Sequence, residues 1–248
     1  MTIFKIVSAG LLAMASAVHA EPRTAKFYGF AYDLKSNHYL YTELHEQHLD
    51  GDRWLGGSIR YMAPDGSSIG DKRLDFSQDP YIPLYDLKLP LEHYEEAITS
   101  IGPDRIELMK SRDGRRRTDT EKRVAGMAAD SGFNSLLVDR FGELTAGQTL
   151  YFTFAVAGQL GSFQFRARKV AELDFDGQSA VRLIVEPDSL LRMFVDPLTL
   201  TYSKSNPHLL EYRGISNVHD PASGSAYNVR IVYPTQPPPD APKNLPPL

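Results

Sequence analysis

The sequence predicts a mainly β fold, either one large curved antiparallel sheet or a half-open barrel, with two short helices. The clearest evidence is a hairpin whose strands, Leu150–Val156 and Phe163–Val170, are joined through a Gly-Gln-Leu-Gly turn. The second strand alternates apolar with polar or basic side chains, as a half-buried antiparallel strand requires. Its apolar members are Phe163, Phe165 and Ala167, and its polar members are Gln164, Arg166 and Arg168.

The first twenty residues have the pattern of a secretory signal peptide. Lys5 precedes an apolar run, Ile6–Val18, which leads to a small-residue cleavage pattern ending at Ala20. This arrangement is typical of an export signal that is removed. The run is shorter than the roughly 20 apolar residues of a membrane-spanning helix, so we expect no transmembrane segment in the mature chain. We expect cleavage near Ala20 and a periplasmic or secreted protein.

Composition narrows the class of protein further. The chain contains no cysteine, and 42% of its residues are hydrophobic, so stability must come from a packed core and not from disulfides. The formal net charge is −4, which argues against a nucleic-acid partner because such binders usually carry a basic excess. No linker or repeat divides residues 21–233, and the sequence predicts a single domain there.

The N-terminal part of the mature chain consists of short alternating runs separated by turn residues. The predicted strands are Phe27–Tyr32, Tyr39–Glu46, Ser58–Tyr61 and Lys72–Phe76. Asp-Gly and Pro-Asp-Gly sequences lie between them, and this spacing is typical of a β-meander.

The next segment predicts an interruption of the meander. Proline cannot donate to a sheet ladder, so the three prolines of Gln78–Pro90 predict an extended crossover and not a central strand. A first helix is predicted over Leu91–Ile101, where apolar residues recur at three- and four-residue spacing. Asp113-Gly114, a pair favoured in tight hairpin turns, then predicts a polar hairpin of Ile106–Arg112 and Arg115–Val124, with a charged loop as the alternative.

A second helix is predicted over Phe133–Leu144, where apolar residues form one stripe after a potential Asp130-Ser131 cap. After the Leu150–Val170 hairpin the chain is predicted to return to strands. These are Ala180–Glu186, Leu191–Val195, Leu198–Ser203, Leu209–Arg213 and Tyr227–Tyr233. Seven of the last fifteen residues are proline, so residues 234–248 are predicted to form an extended, flexible tail.

No motif in the chain specifies a catalytic residue or a cofactor, and we expect a non-enzymatic protein without a cofactor. Large curved sheets often enclose an apolar ligand. The candidate contacts for a lipid-like ligand are four aromatic residues of the hairpin: Phe152, Phe154, Phe163 and Phe165. The alternative is that these rings fill the core. Arg166 and Arg168 are candidate contacts for an anionic surface, with a solvated face as the alternative.

Glu43 and His45 are the best candidates for an enzymatic site. Two residues apart on a predicted strand, they project from the same face and could share a metal ion or transfer a proton. They support the hypothesis of a metal-dependent or acid-base hydrolase. Two ligands do not define a metal site, and the sequence does not identify a metal; a cross-strand salt bridge or exposure is the alternative.

Five short segments resemble a family of exported proteins from Gram-negative bacteria that has no assigned biochemical function. They are Tyr28–Asp33, Tyr41–His45, Tyr61–Gly66, Asp130–Phe133 and Glu211–Asn217. The resemblance implies a shared β fold and an envelope location, and it transfers no catalytic residue. In layout the chain is also similar to periplasmic lipoprotein carriers with half-open β-barrels, a likeness of fold alone.

The leading hypothesis from the sequence is a non-enzymatic periplasmic protein that binds an apolar ligand or an envelope partner. A structural envelope protein with its proline-rich tail as a docking segment is a further alternative. The state of the interior separates these hypotheses, because an open apolar cavity favours carriage whereas a filled core favours interaction or scaffolding.

Overall fold

A computed structural model describes residues 22–189 and 196–248. These residues form one sheet of fifteen strands. The strands are β1 (Arg23–Asp33), β2 (Tyr39–Asp50), β3 (Arg53–Met62), β4 (Ser68–Asp75), β5 (Leu84–Leu89), β6 (Tyr94–Ile101), β7 (Arg105–Arg112), β8 (Arg115–Lys122), β9 (Met127–Ala129), β10 (Leu150–Val156), β11 (Gly161–Phe175), β12 (Gln178–Pro187), β13 (Leu198–Ser203), β14 (Leu209–His219) and β15 (Ala226–Val232). The helices are α1 (Gly132–Asp139) and α2 (Phe141–Thr145), with single 3-10 turns at Pro90–Glu92 and Ala157–Gln159. The predicted signal peptide and the predicted strand Leu191–Val195 lie outside the described residues.

The strands follow one another along the sheet almost in chain order. The order is β8-β7-β6-β5-β4-β3-β2-β1-β15-β14-β13-β12-β11-β10-β9. Neighbouring strands pair antiparallel, except for the parallel pair β9–β10. β1 pairs with β15, which joins the N-terminal meander to the C-terminal one. The predicted mainly β fold with a large curved antiparallel sheet is confirmed.

The two ends of the sheet curl toward each other. β8 lies beside the start of β11, where the Ser162 hydroxyl donates a hydrogen bond to Glu121 at 2.5 Å. The Lys110 ammonium donates to the Gly158 carbonyl oxygen at 2.6 Å, in the turn before β11. Side chains therefore bridge the two ends and give the sheet a barrel-like form.

The two faces of β10 pack into different parts of the core. Ala155 belongs to a buried cluster with Tyr61 and Leu87 of the N-terminal strands. Phe152, on the opposite face, belongs to a second cluster with Leu137 of α1. Because side chains alternate across a strand, β10 lies between the two clusters.

The predicted helix over Leu91–Ile101 is wrong, because most of this segment is β6, which pairs with β5 and β7. Leu91, which begins the supposed apolar stripe, is 81% exposed. Tyr94, Glu96 and Ile98 are buried at the two-residue period of one strand face, and Ala97 is buried on the other face. Glutamate is polar, so its presence at a buried position hid the alternation of buried and exposed residues that is typical of a strand.

The predicted crossover at Gln78–Pro90 is wrong for Leu84–Leu89, which forms β5 between β4 and β6. Pro83 and Pro90 flank this strand and do not interrupt its ladder, so no paired position lacks a backbone donor.

Two other local predictions are confirmed with small changes. Asp113 and Gly114 have φ values of 52° and 75°, as a tight turn between β7 and β8 requires. The predicted helix over Phe133–Leu144 forms as α1 and α2, which divide at Arg140. Among the described residues, no helix is both long and apolar enough to cross a bilayer.

Residues 234–248 contain no helix or strand, as their proline content predicts. They lie against the outer face of β1–β3, where Ala241 is 5% exposed and Leu245 packs beside the same cluster. The sequence predicts a flexible tail and does not predict this packing. The contacts define a tail-binding face, which consists of Tyr28, Phe30, Tyr32, Tyr39, Leu44 and Met62.

Candidate functional site

The four aromatic residues predicted to contact a ligand lie on one face of the β10–β11 hairpin. Phe152 pairs with Phe165, and Phe154 pairs with Phe163. The Phe165 ring centroid lies 6.2 Å from that of Phe152 and 5.8 Å from that of Phe154. Phe133 of α1 meets Phe154 edge-on at 5.7 Å. The rings therefore contact one another and the helix, and Phe163, at 39% exposed, lies at the margin of this packing.

Arg166 and Arg168, the predicted anion contacts, both lie beside Glu186. The Arg166 Nη2 atom is 2.7 Å and the Arg168 Nε atom is 3.6 Å from Glu186 Oε1. Burial opposes ionisation of Glu186, but the hydrogen bonds and positive charges of the two arginines outweigh it and lower the pKa of that carboxyl. The ion pairs reduce the positive potential at this surface, and the anion contact stays a prediction.

Glu43 and His45 project into the interior from one face of β2, as their spacing predicts. The His45 Nε2 atom lies 2.8 Å from Glu43 Oε2, and both residues are buried. Phe27 stacks on the imidazole with 4.5 Å between ring centroids. The Tyr233 hydroxyl lies 3.5 Å from the same Glu43 oxygen. The pair is thus enclosed by aromatic rings.

The interior also contains a charged group that the sequence analysis missed. Lys72, on β4, is 1% exposed. Its ammonium donates to Asp130 Oδ2 at 2.5 Å and to Asn217 Oδ1 at 3.0 Å. Asp130 follows β9 and Asn217 lies on β14, so the Lys72 ammonium connects three distant parts of the chain. Burial of Lys72 could have been predicted from its position, because it shares a strand face with Leu74, which is buried.

Glu96 is a further buried polar residue that the sequence analysis missed. The Tyr85 hydroxyl donates to Glu96 Oε1 at 3.0 Å, and the Tyr94 hydroxyl donates to Oε2 at 2.6 Å. The Gly158 backbone closes the site, since a Cβ there would lie 2.3 Å from Glu96 Oε2. The signal for this site is that Tyr94 and Glu96 share one face of a strand, and the incorrect helix prediction hid it.

The interior polar groups satisfy one another. Among residues 22–189 and 196–248, every buried side-chain nitrogen or oxygen has a hydrogen-bond partner. Within the same residues, no three His, Cys, Asp or Glu side chains lie close enough to hold a metal ion. Burial raises the pKa of Tyr41, Tyr61 and Tyr85, and nearby carboxylates raise it further. The buried polar side chains of the described residues are therefore paired within the chain.

Two surface cavities lie away from the predicted ligand contacts. A shallow groove of about 480 Å³ follows β4–β7 and is bordered by charged residues such as Arg73 and Lys88. A smaller cavity of about 230 Å³ lies beside the ion pair of Asp79 and Arg123. None of the four predicted aromatic contacts lines either cavity.

We expect Gly29→Ala to lower the free energy of unfolding by about 1–3 kcal/mol, as overpacking does in a filled core. The added Cβ would lie 2.8 Å from a Tyr233 ring atom and 2.9 Å from Glu43 Oε2. Gly142→Ala is the matched control, because its Cβ would meet nothing within 4 Å and alanine favours a helix by up to about 1 kcal/mol. Urea unfolding measures both variants, and equal losses would contradict the enclosure of Glu43.

No protein-family model matches the chain, and no curated protein is significantly similar to it. Among solved structures, the chain is similar to the crystal structure of a beta-barrel-like protein of domain of unknown function DUF1849 from Brucella abortus. The match has a TM-score of 0.39 and 8% sequence identity, and it covers 87% of this chain and 98% of that chain. At this identity the likeness concerns the fold alone.

Proposed function

We propose that this chain is a non-enzymatic protein of the bacterial envelope that binds a protein partner through the outside of its sheet. The signal-peptide pattern of residues 1–20 supports export and a periplasmic location. The observation that carries the proposal is the packing of the described interior, where buried side chains of the N-terminal strands and of α1 and α2 lie against the two faces of β10.

Two features of residues 22–189 and 196–248 argue against an apolar ligand between these strands. A small-molecule site is usually a cleft or cavity of about 300–1,000 Å³ with an apolar lining. Here α1 and α2 cover Phe152, and the other face of β10 packs against the N-terminal strands through Ala155. The charged interior groups are already paired, as Lys72 is with Asp130. Recognition of a partner is therefore left to the outer surface.

Mass spectrometry of organic extracts, from protein purified without detergent, tests the proposal against carriage of a lipid-like ligand. We expect no stoichiometric lipid and no saturable binding of an apolar fluorescent probe. Phe152→Ala is the positive control, because a cavity opened in an apolar core accepts small apolar molecules, and this variant should gain probe binding. About one co-purifying lipid per chain would overturn the proposal in favour of a carrier.

The Glu43–His45 hydrogen bond favours a second candidate, a metal-dependent or acid-base hydrolase. A carboxylate that orients a histidine is an arrangement suited to proton transfer. The rings of Phe27 and Tyr233 restrict access to this pair. A screen with ester, phosphoester and peptide substrates tests this candidate: it requires an activity that both Glu43→Gln and His45→Asn abolish.

A further inference from the structure

We propose that the tail-binding face on β1–β3 is a binding site for proline-rich segments, which this chain occupies with its own residues 234–248. The inference rests on the proposed function, since it names the chemistry of the partner segment. The same face would accept an equivalent segment from another chain when its own tail is displaced.

The tail-binding face has the composition of a site for extended, proline-rich chains. Tyr28, Phe30 and Tyr32 project outward from β1, and Tyr39 projects beside them from β2. The rings of Tyr28 and Phe30 lie 5.8 Å apart, and those of Tyr32 and Tyr39 lie 5.5 Å apart, edge to face. Grooves lined by aromatic side chains are the usual binding sites for polyproline II segments.

The tail meets this face through both apolar and polar contacts. Ala241 is buried among the aromatic residues, and Leu245 packs beside them. The Tyr28 hydroxyl donates a hydrogen bond to the Pro246 carbonyl oxygen. The Ala241 N–H closes a turn on the Pro238 carbonyl oxygen at 3.0 Å, but a proline-rich segment leaves most of its other carbonyl oxygens without backbone partners. A tyrosine hydroxyl supplies the donor that such an oxygen needs.

One end of the face also selects for charge. The Tyr32 hydroxyl donates to Asp240 Oδ1 at 3.0 Å. The Arg230 guanidinium lies over the Tyr32 ring, 4.8 Å from its centroid, and also 3.7 Å from Glu211 Oε2, so the hydrogen bond from Tyr32 is the main polar contact for a tail carboxylate. The preferred segment is therefore proline-rich with a carboxylate several residues before its last prolines.

The sheet does not depend on the tail for its strand pairing. β1 is paired along one edge with β2 and along the other with β15, which ends at Val232. Release of residues 234–248 would break no backbone ladder and would expose a row of aromatic rings. A tail attached to its own site has an effective concentration in the millimolar range, so a partner must compete with it.

The full chain allows a direct test, because it contains no cysteine and Lys243→Cys can carry a single fluorescent label on the tail. We expect high fluorescence anisotropy for the bound tail. A free peptide of residues 234–248 should lower it, with half-displacement at about 1 mM. The same peptide with every proline replaced by alanine should need at least tenfold more. Tyr28→Phe combined with Tyr32→Phe should lower the anisotropy without peptide, because the tail loses two hydrogen bonds.

Three results would overturn the inference. A tail that is mobile without peptide means that the face is not occupied. A tail that neither peptide displaces means that residues 234–248 are a permanent part of the core. Equal displacement by both peptides means that the face does not recognise proline. None of these three results contradicts the proposed function. A stoichiometric lipid in the organic extract would contradict the proposed function but would not change peptide displacement.

Discussion

Replacing Lys72 by methionine is expected to lower the free energy of unfolding by about 3–5 kcal/mol, the range found when one partner of a buried ion pair is removed. The Lys72 and Asp130 side chains are 2% and 5% exposed. Methionine has a similar length, but it leaves the Asp130 carboxylate buried without its cation. The unpaired carboxylate, and not the lost contact area, accounts for most of the expected loss. Chemical denaturation monitored by circular dichroism measures it.

Two controls separate this effect from general damage to the core. Lys72→Met combined with Asp130→Asn should recover part of the loss, because the buried charge is gone while the amide oxygen can still accept from the Ser131 backbone N–H and hydroxyl. Arg140→Met breaks an exposed ion pair with Glu143 and should change stability by less than about 1 kcal/mol. A similarly small change for Lys72→Met would mean that the pair is not buried in solution.

Raising the pH above about 10, the ordinary pKa of tyrosine, is expected to unfold the protein steeply. Tyr41, Tyr61, Tyr85 and Tyr202 are buried, and burial raises the pKa of each in the folded state. A group with a raised folded-state pKa contributes stability that is complete below its unfolded pKa and is lost as the pH rises toward the folded value. Between these two pKa values, each such tyrosine lowers the free energy of unfolding by about 1.4 kcal/mol per pH unit.

The combined loss from four such groups would equal a typical free energy of unfolding, about 5–15 kcal/mol, within a few pH units. Near-ultraviolet absorbance of tyrosinate, recorded together with far-ultraviolet circular dichroism, checks this expectation: these tyrosines should ionise only as the secondary structure is lost. Tyr202→Phe should reduce the slope of stability against pH by about 1.4 kcal/mol per unit. Ionisation of every tyrosine before any structural change would contradict the burial of these phenols.

Local patterns predicted those strands whose polar and apolar residues alternate. β11 and β15 are examples, because each has one face in the core and a simple two-residue period. The pattern failed at β6, where Glu96 lies on the buried face and receives hydrogen bonds from Tyr85 and Tyr94. A polar residue that is satisfied by distant partners carries no local signal of burial.

The candidate sites likewise differ in how far the sequence could predict them. Glu43 and His45 were predictable as a pair, because residues two apart on a strand share a face. The ion pair of Lys72 and Asp130 joins residues 58 positions apart, and the tail contacts join residues more than 200 positions apart. No short-range pattern in the sequence predicts such contacts, because they depend on how the sheet curls and on where residues 234–248 pack against it.

The sequence by itself determined that this protein is a large antiparallel sheet, because alternation and turn residues act over a few positions along the chain. Only the tertiary structure decided that β10 lies between two buried clusters, that the buried polar groups of the described residues pair with one another, and that the proline-rich tail covers an aromatic face. The physical reason is that burial is a property of contacts between distant segments. The same ring of Phe152 could border a cavity or pack as core, and the position of α1 and α2 over it decides which.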